Sequence, residues 1–285
     1  MRLFVIALAL CASLMNVTSQ ASAAAFGSSI MNTSNLRLQY FNGSSWVNAT
    51  NAQGAVFGSA VTSQSSATLG TLNQASGLLP GLNATQSFVS PTITAPLEQS
   101  VLPLTGLGPS TLNSFARGDT FGSGNTIIGG SLSTSTLAEL NSLGTVTGLA
   151  TGNLSNVSIF TVNIAQFGEY RLAFDANLAM QTTGDGFATN SFGVSVSQSQ
   201  TTGNTVSKDD NDASLNRSIN GSSTVNVSSS FFSTAVSLEA GQLATFKITQ
   251  NTTAGANNVV PEPSSMAIFG LMSAGSFLAW RRRRV

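Results

Sequence analysis

Hydrophobic and polar residues alternate most regularly in the stretch YRLAFDANLAM, which begins at Tyr170. Hydrophobic side chains fall on every second position, namely Tyr170, Leu172, Phe174, Ala176, Leu178 and Met180. A period of two is typical of a β-strand that buries one face and exposes the other. The pattern therefore predicts a half-buried strand over this stretch.

Shorter alternating runs elsewhere predict further strands. Turn residues separate them, at Asn42-Gly43, at Gly184-Asp185-Gly186 and in the EAGQ segment that starts at Glu239. Such residues are typical of tight turns between strands. The alternating positions are Leu36, Leu38 and Tyr40, then Phe192, Val194 and Val196, then Phe232, Thr234, Val236 and Leu238, and finally Ala244, Phe246 and Ile248.

The run from Val157 to Ile164 changes parity in the middle. Val157 and Ile159 fall on one face of a strand, whereas Phe160, Val162 and Ile164 fall on the other. A β-bulge inserts one extra residue into a strand, so a bulge near Ile159 would bring both sets to the same face.

Many short strands with turn signals and no helical crossovers predict an all-β fold. We expect an antiparallel β-sandwich, jelly-roll-like, over residues 26–250. Residues 58–150 are expected to be an irregular elaboration rich in Pro, Gly and Ser, because five of the seven prolines fall between Pro80 and Pro109. Residues 251–258 are expected to form a flexible polar stem.

The first 25 residues are typical of a secretory signal peptide. Arg2 supplies a positive charge, an unbroken hydrophobic run follows, and Ala21-Ser22-Ala23 or Ala23-Ala24-Ala25 offers the small residues of a cleavage site. The hydrophobic run is too short to span a bilayer comfortably. We therefore assign residues 1–25 to a cleaved signal peptide and expect the chain to be exported.

A short uncharged segment and four arginines end the sequence. Residues 264–280 are expected to form a single transmembrane helix. The part from Met266 to Trp280 would rise only about 22 Å, less than a hydrocarbon core of about 30 Å. The positive-inside rule keeps the arginines in the cytoplasm and the body outside. This cluster comprises Arg281, Arg282, Arg283 and Arg284.

The residues directly before this helix are Val260, Pro261, Glu262 and Pro263. A Pro-Glu-Pro triplet, a short hydrophobic helix and a terminal arginine cluster, here over residues 259–285, resemble a PEP-CTERM sorting signal. The resemblance implies a secreted protein of a Gram-negative bacterium that an exosortase-type enzyme recognises and cleaves at the inner membrane. It further implies a final place at the cell surface or outside the cell, with exopolysaccharide as a partner.

The composition excludes several kinds of chemistry. The chain has no histidine, and its one cysteine, Cys11, lies in the signal peptide. Serine–histidine triads, Cys–His dyads and metal sites with His or Cys ligands are therefore excluded from the mature chain. Between residues 26 and 260, ten acidic and six basic residues leave a net charge near −4. Without a basic surface, we expect no nucleic-acid partner.

Paired carboxylates are the acid–base chemistry that remains, as in glycosidases. Glu169 and Asp175 are one such pair, but six residues of straight strand would separate them by about 20 Å. No motif supports a Ser–Lys dyad with Lys208 or Lys247. We therefore expect a protein without enzymatic activity and without a cofactor.

The segment KDDND holds the one acidic cluster. Asp209, Asp210 and Asp212 are candidate calcium ligands, because calcium prefers several oxygen ligands. An EF-hand loop that starts at Asp210 would need glycine at position 215, where the chain has Leu215. A solvated hairpin loop is the alternative. Arg117-Gly118-Asp119 spells the tripeptide that integrins bind, which we interpret as a chance occurrence.

Two aromatic residues, Tyr40 and Trp46, flank the Asn42-Gly43 turn. Exposed aromatic rings can form a glycan-binding face, whereas the alternative is that both rings pack inward. With the resemblance, the sequence predicts an exported cell-surface or extracellular-matrix protein with a structural or adhesive role in an exopolysaccharide or biofilm layer. The alternative is a glycan-binding module that tethers polysaccharide.

Overall fold

The computed structural model describes residues 25–60, 62–76, 79–80, 85–91, 114–124, 126–129, 132–143, 147–203 and 205–256. The predicted signal peptide, apart from Ala25, and the predicted sorting signal with its helix 264–280 lie outside the described residues.

Within the described ranges, seventeen β-strands form and no helix does. In chain order the strands are β1 (Ala25–Phe41), β2 (Trp46–Asn48), β3 (Gly54–Ala60), β4 (Thr62–Leu69), β5 (Leu72–Ala75), β6 (Leu79–Pro80), β7 (Thr85–Val89), β8 (Phe115–Ser123), β9 (Leu132–Ser142), β10 (Gly148–Ile164), β11 (Gly168–Thr183), β12 (Gly186–Ser199), β13 (Thr205–Asp210), β14 (Arg217–Asn220), β15 (Ser223–Phe232), β16 (Val236–Leu238) and β17 (Leu243–Ala256).

The strands pair into two antiparallel sheets. The eight-stranded sheet has the order β15-β11-β1-β9-β8-β7, with β16 also on β11 and β2 on β1. The nine-stranded sheet has the order β13-β12-β17-β10-β4-β5, with β14 also on β12, β3 on β10 and β6 on β4. The predicted all-β class and antiparallel pairing are confirmed. A jelly roll has about eight strands, so this two-sheet structure is larger.

The hydrophobic core lies between the two sheets and follows the predicted alternation on β11. Every second residue of that strand from Tyr170 to Met180 is buried, as are Phe192 on β12 and Phe246 on β17. The predicted turn at Gly184 joins β11 to β12, and this glycine has a φ of 59°, which favours glycine. Apolar burial on facing strands therefore holds this half of the sandwich together.

Where the structure describes residues 58–150, they are not the irregular elaboration that the sequence predicted. Residues 92–113, which hold three of the five prolines, lie outside the described residues. The described residues supply β4 to β9 and parts of β3 and β10, and so contribute to both sheets. Their inward positions are often small or hydroxyl-bearing rather than hydrophobic, as the fully buried Ser65, Ser87, Thr120 and Thr136 show. Ser and Thr count as polar residues in a hydrophobic pattern, so the alternation of buried and exposed positions could not be recognised from the sequence.

The predicted polar stem at residues 251–258 is also wrong over its first six residues. Strand β17 continues to Ala256 and pairs with β10 on one side and β12 on the other. Thr252 and Ala254 are fully buried. Two neighbouring strands satisfy the backbone of this polar stretch, so it forms a central strand despite its composition.

Two strands differ in detail from the sequence prediction. The pairing of β10 with β17 shifts between Leu154 and Ser158, close to the predicted bulge at Ile159. The predicted single strand from Phe232 to Leu238 is divided into the end of β15 and the short β16, and both parts pair with β11.

Candidate functional site

The outer face of the eight-stranded sheet, which is the face turned away from the nine-stranded sheet, carries a group of polar and aromatic side chains. On β11, Tyr170, Leu172 and Phe174 are buried in the core between the sheets. Successive side chains of a strand point to opposite faces, so Arg171 and Asp175 lie on the outer face.

Arg171 lies between two aromatic rings on this face. Its guanidinium carbon is 4.3 Å from the centre of the Trp46 ring and 4.1 Å from the centre of the Phe232 ring. Strand pairing brings the three together, because Gln39 of β1 pairs with Arg171 and Phe232 of β15 pairs with Ala173. We call Trp46, Arg171 and Phe232 the aromatic clamp.

The hydrogen bonds of Arg171 fix its orientation. Its Nε donates to Oε1 of Gln39 over 2.9 Å, whereas its two Nη groups have no acceptor among the described residues. Partial burial lowers the pKa of Arg171 from its usual value, but an arginine remains charged at physiological pH. The clamp therefore presents a charged, planar group whose outer nitrogens are available to a ligand.

A polar depression with a volume of about 380 Å³ lies on the same face. Two rows of paired residues form it. Asn32, Asn177 and Ser228 are opposite one another on β1, β11 and β15, and Ser34, Asp175 and Ser230 form the next row. We call these six residues the polar depression. Their amides and hydroxyls supply both donors and acceptors to a bound molecule.

Asp175 is held in a fixed position in the depression. Its Oδ2 accepts a hydrogen bond from Nδ2 of Asn35 over 2.7 Å, and its Oδ1 accepts one from Oγ of Ser230 over 2.6 Å. These bonds, with the nearby positive charge of Arg37, lower the pKa of Asp175. Asn35 has a left-handed φ of 52° at the bulge of β1. Asp175 is therefore an ionised acceptor near neutral pH.

The two aromatic residues that the sequence singled out do not lie together. Tyr40 packs against the core, with its ring centre 5.2 Å from that of Tyr170, whereas Trp46 is on the outer face beside Arg171. Tyr40 and Trp46 therefore lie on opposite faces of the sheet and do not form one surface. Arg171 and Phe232 were missed, although the alternation in β11 already placed Arg171 outward.

Two of the three candidate calcium ligands, Asp210 and Asp212, accept hydrogen bonds from neighbouring residues. Both carboxylate oxygens of Asp210 accept hydrogen bonds from Thr234, over 2.5 Å from its backbone nitrogen and 2.6 Å from its hydroxyl. Asp212 accepts bonds from the backbone nitrogen and hydroxyl of Ser214. The side chain of Asp209 is not among those described. No group of three metal-ligating side chains occurs within the described residues.

The Arg117-Gly118-Asp119 tripeptide is inside the structure. Nη2 of Arg117 forms an ion pair with Oδ2 of Asp119 over 2.5 Å, and both side chains are only 3% exposed. Glu139 pairs with Arg117 across β8 and β9 and is buried as well. This arrangement leaves the tripeptide inaccessible to a receptor.

Comparison with known proteins identifies the tail of the chain. Residues 259–284 match the model of the PEP-CTERM protein-sorting motif, which includes Val260, Pro261, Glu262 and Pro263 and the arginines Arg281 to Arg284. No curated protein and no solved structure matches the chain. The chain is therefore an exported protein with a C-terminal sorting signal, and the motif implies processing by an exosortase-type enzyme at a membrane.

Among the residues that the structure describes, no helix is long and apolar enough to cross a membrane. The helix predicted at residues 264–280 lies outside them.

Proposed function

We propose that this protein is a structural or adhesive component of an exopolysaccharide or biofilm layer, to which it is delivered through its signal peptide and its C-terminal sorting signal. The observation that carries the proposal is the match of residues 259–284 to the PEP-CTERM motif. Exosortase-type cleavage would release the body from its temporary helix, so the body acts at the cell surface or outside the cell.

The architecture of the body supports a structural role. Two antiparallel sheets with long central strands resist local opening, because each central backbone is hydrogen-bonded on both sides. The exposed positions of β15 are mainly Ser, Thr and Asn, as in Thr224, Asn226, Ser228 and Ser229. A surface of hydroxyls and amides exchanges hydrogen bonds readily with hydrated polysaccharide.

A second candidate function is glycan binding. The aromatic clamp favours it, since aromatic rings offer flat apolar surfaces to a sugar, and the polar depression beside it offers hydrogen-bonding groups. In this case the protein tethers polysaccharide to the surface rather than filling the matrix passively.

Fractionation of the producing cells tests the main proposal. We expect the extracellular form to remain with the polysaccharide matrix, and C-terminal mass spectrometry to find it without Arg281–Arg284. Enzymatic removal of the polysaccharide should release it. Recovery of the protein from the medium with the matrix intact, or with Arg284 still attached, would contradict the proposal. A glycan array distinguishes the second candidate, because only glycan binding predicts saturable signals that Trp46→Ala weakens.

A further inference from the structure

We propose that the aromatic clamp and the polar depression form one binding site for a polysaccharide that carries carboxylate groups, such as a polyuronate, and that the two Nη groups of Arg171 bind the carboxylate. The inference rests on the proposed function in a polysaccharide layer, since it names the chemistry of the polymer.

The first argument is the geometry of Arg171. A guanidinium group binds a planar carboxylate through two parallel hydrogen bonds when its plane is held and two nitrogens are free. Here the guanidinium lies against the Trp46 and Phe232 rings, and Gln39 accepts a hydrogen bond from Nε, which leaves the two Nη groups to a ligand. The group is therefore oriented before a ligand arrives, which reduces the entropic cost of binding.

The second argument is the exposure of the flanking rings. Phe232 is 53% exposed, and Trp46 is half-buried and lies 5.3 Å from Phe41 between ring centres. Because both rings lie against the same guanidinium, their exposed parts are close together and form one apolar surface rather than scattered single residues. The rings offer apolar surface to the C–H faces of a sugar, while its carboxylate reaches the guanidinium between them.

The third argument is the position of the polar depression. Phe232 and Ser230 are two residues apart on β15 and therefore point to the same face about 7 Å apart. An extended polymer that follows β11 and β15 would contact the clamp with one sugar and the depression with the next. Asn32, Asn177 and Ser228 then face its hydroxyl groups.

The charges near the site cancel, so they do not attract an acidic polymer over a distance. Besides Arg171, this part of the outer face carries Arg37, Glu169 and Asp175, so two positive groups offset two negative ones. Arg37 donates through Nε to Asn48 and through Nη1 to the carbonyl of Asn35, so both of these groups already have partners within the protein. Affinity for an acidic polymer therefore depends on the Arg171 contact and not on a broad positive surface.

Calorimetry with one polymer in two chemical forms tests the inference. The probes are polygalacturonate and the same polymer after reduction of its carboxyl groups to alcohols, both in EDTA because calcium cross-links polyuronates. We expect the exported protein to bind polygalacturonate at least about tenfold more tightly than the reduced form. Arg171→Gln should lose about tenfold in affinity for polygalacturonate, and Arg171→Lys should also lose affinity, because lysine keeps the charge but not the fork.

Arg217→Gln is the matched control. It removes the same positive charge, but Arg217 is exposed on β14 of the nine-stranded sheet, away from the proposed site. Its affinity should be unchanged. Equal binding of the two polymers, no binding of polygalacturonate, or equal losses in Arg171→Gln and Arg217→Gln would overturn the inference. If Arg171→Gln does not fold, Arg171→Lys and the comparison of the two polymers decide the question.

The test of the carboxylate site and the test of the matrix role can fail independently. A protein that binds polygalacturonate through Arg171 but is absent from the polysaccharide matrix would contradict the matrix role and leave the site intact. A protein that remains in the matrix and binds both polymer forms equally would contradict the carboxylate site and leave the matrix role intact.

Discussion

Thr134 of the eight-stranded sheet donates a hydrogen bond to Gln250 of the nine-stranded sheet, with 2.8 Å between Oγ1 and Oε1. The Gln250 amide nitrogen donates in turn to the carbonyl of Met31 over 2.6 Å and to Oγ1 of Thr136 over 3.0 Å. All of these side chains are buried, with Thr33 next to Thr134. The two sheets are therefore connected at this point by buried hydrogen bonds, whereas hydrophobic contacts connect them at Tyr170 and Phe246.

Replacement of Gln250 by methionine should destabilise the protein by about 3 kcal/mol. Methionine has a similar volume, but it removes the buried hydrogen bonds that Gln250 makes with Thr134, Thr136 and the carbonyl of Met31. Urea unfolding of the exported protein measures the change. Gln181→Met is the control, because Gln181 is exposed on the outer face and should change the free energy of unfolding by less than about 0.5 kcal/mol. Equal losses in the two variants would contradict the role of the network.

Gly118→Ala should force the two sheets apart. A Cβ at this position would overlap the carbonyl oxygen of Thr151 and lie 2.6 Å from that of Ser66, and neither backbone atom can rotate away. We expect a loss of about 3 kcal/mol in the free energy of unfolding. Gly241→Ala should lose only about 1 kcal/mol, because its φ of 78° is strained for alanine but the space around it is open. A loss at position 118 no larger than at position 241 would show that the sheets are less closely packed there.

The stability of the protein should fall as the pH rises from about 4.5 to about 8, in part because of Glu139. Burial raises the pKa of Glu139 from 4.5 to about 8, against the attraction of Arg117. Between these two values the folded state holds a proton that the unfolded state has released, so each rise in pH favours unfolding. The pKa of Asp119 is raised by burial as well and acts in the same direction.

Melting temperatures across this pH range test that expectation. Glu139→Gln removes the titrating group and should flatten the fall, leaving the smaller part that Asp119 contributes. Asp175→Asn is a useful comparison, because the pKa of Asp175 is lowered and its effect is confined to acidic pH. An unchanged pH dependence in Glu139→Gln would mean that Glu139 is not the titrating group.

Replacement of Pro261, Glu262 and Pro263 by three alanines should stop C-terminal processing. Proline restricts φ and has no backbone donor, so the sequence of the triplet favours an extended segment, which a membrane enzyme can recognise. The variant should accumulate in the membrane fraction with Arg284 attached. Asn257→Ala with Asn258→Ala is the control, because these residues precede the matched range 259–284 and should leave processing unchanged. Normal processing of the triple variant would show that the triplet is not what the enzyme recognises.

The strands that the sequence predicted well are those with hydrophobic inward positions. On β11 the six alternating residues are buried as expected, because burial of large apolar side chains imposes a period of two on the sequence. On β4 the inward positions include Ser63, Ser65 and Ala67. Residues such as Ser65 are buried here because the opposite sheet is close and supplies hydrogen bonds. The sequence of one strand does not show which residues of the other sheet will face it.

The sequence by itself determined the C-terminal sorting signal, the β-rich class and the face of β11 on which Arg171 and Asp175 lie, because each of these depends on residues that are close in the chain. Only the tertiary structure decided that Trp46 and Phe232 enclose Arg171 and that Tyr40 turns to the core. Side-chain alternation defines the two faces of a strand but not its neighbours or their register. Pairing between strands that are distant in sequence supplies both, and through them it assembles the site.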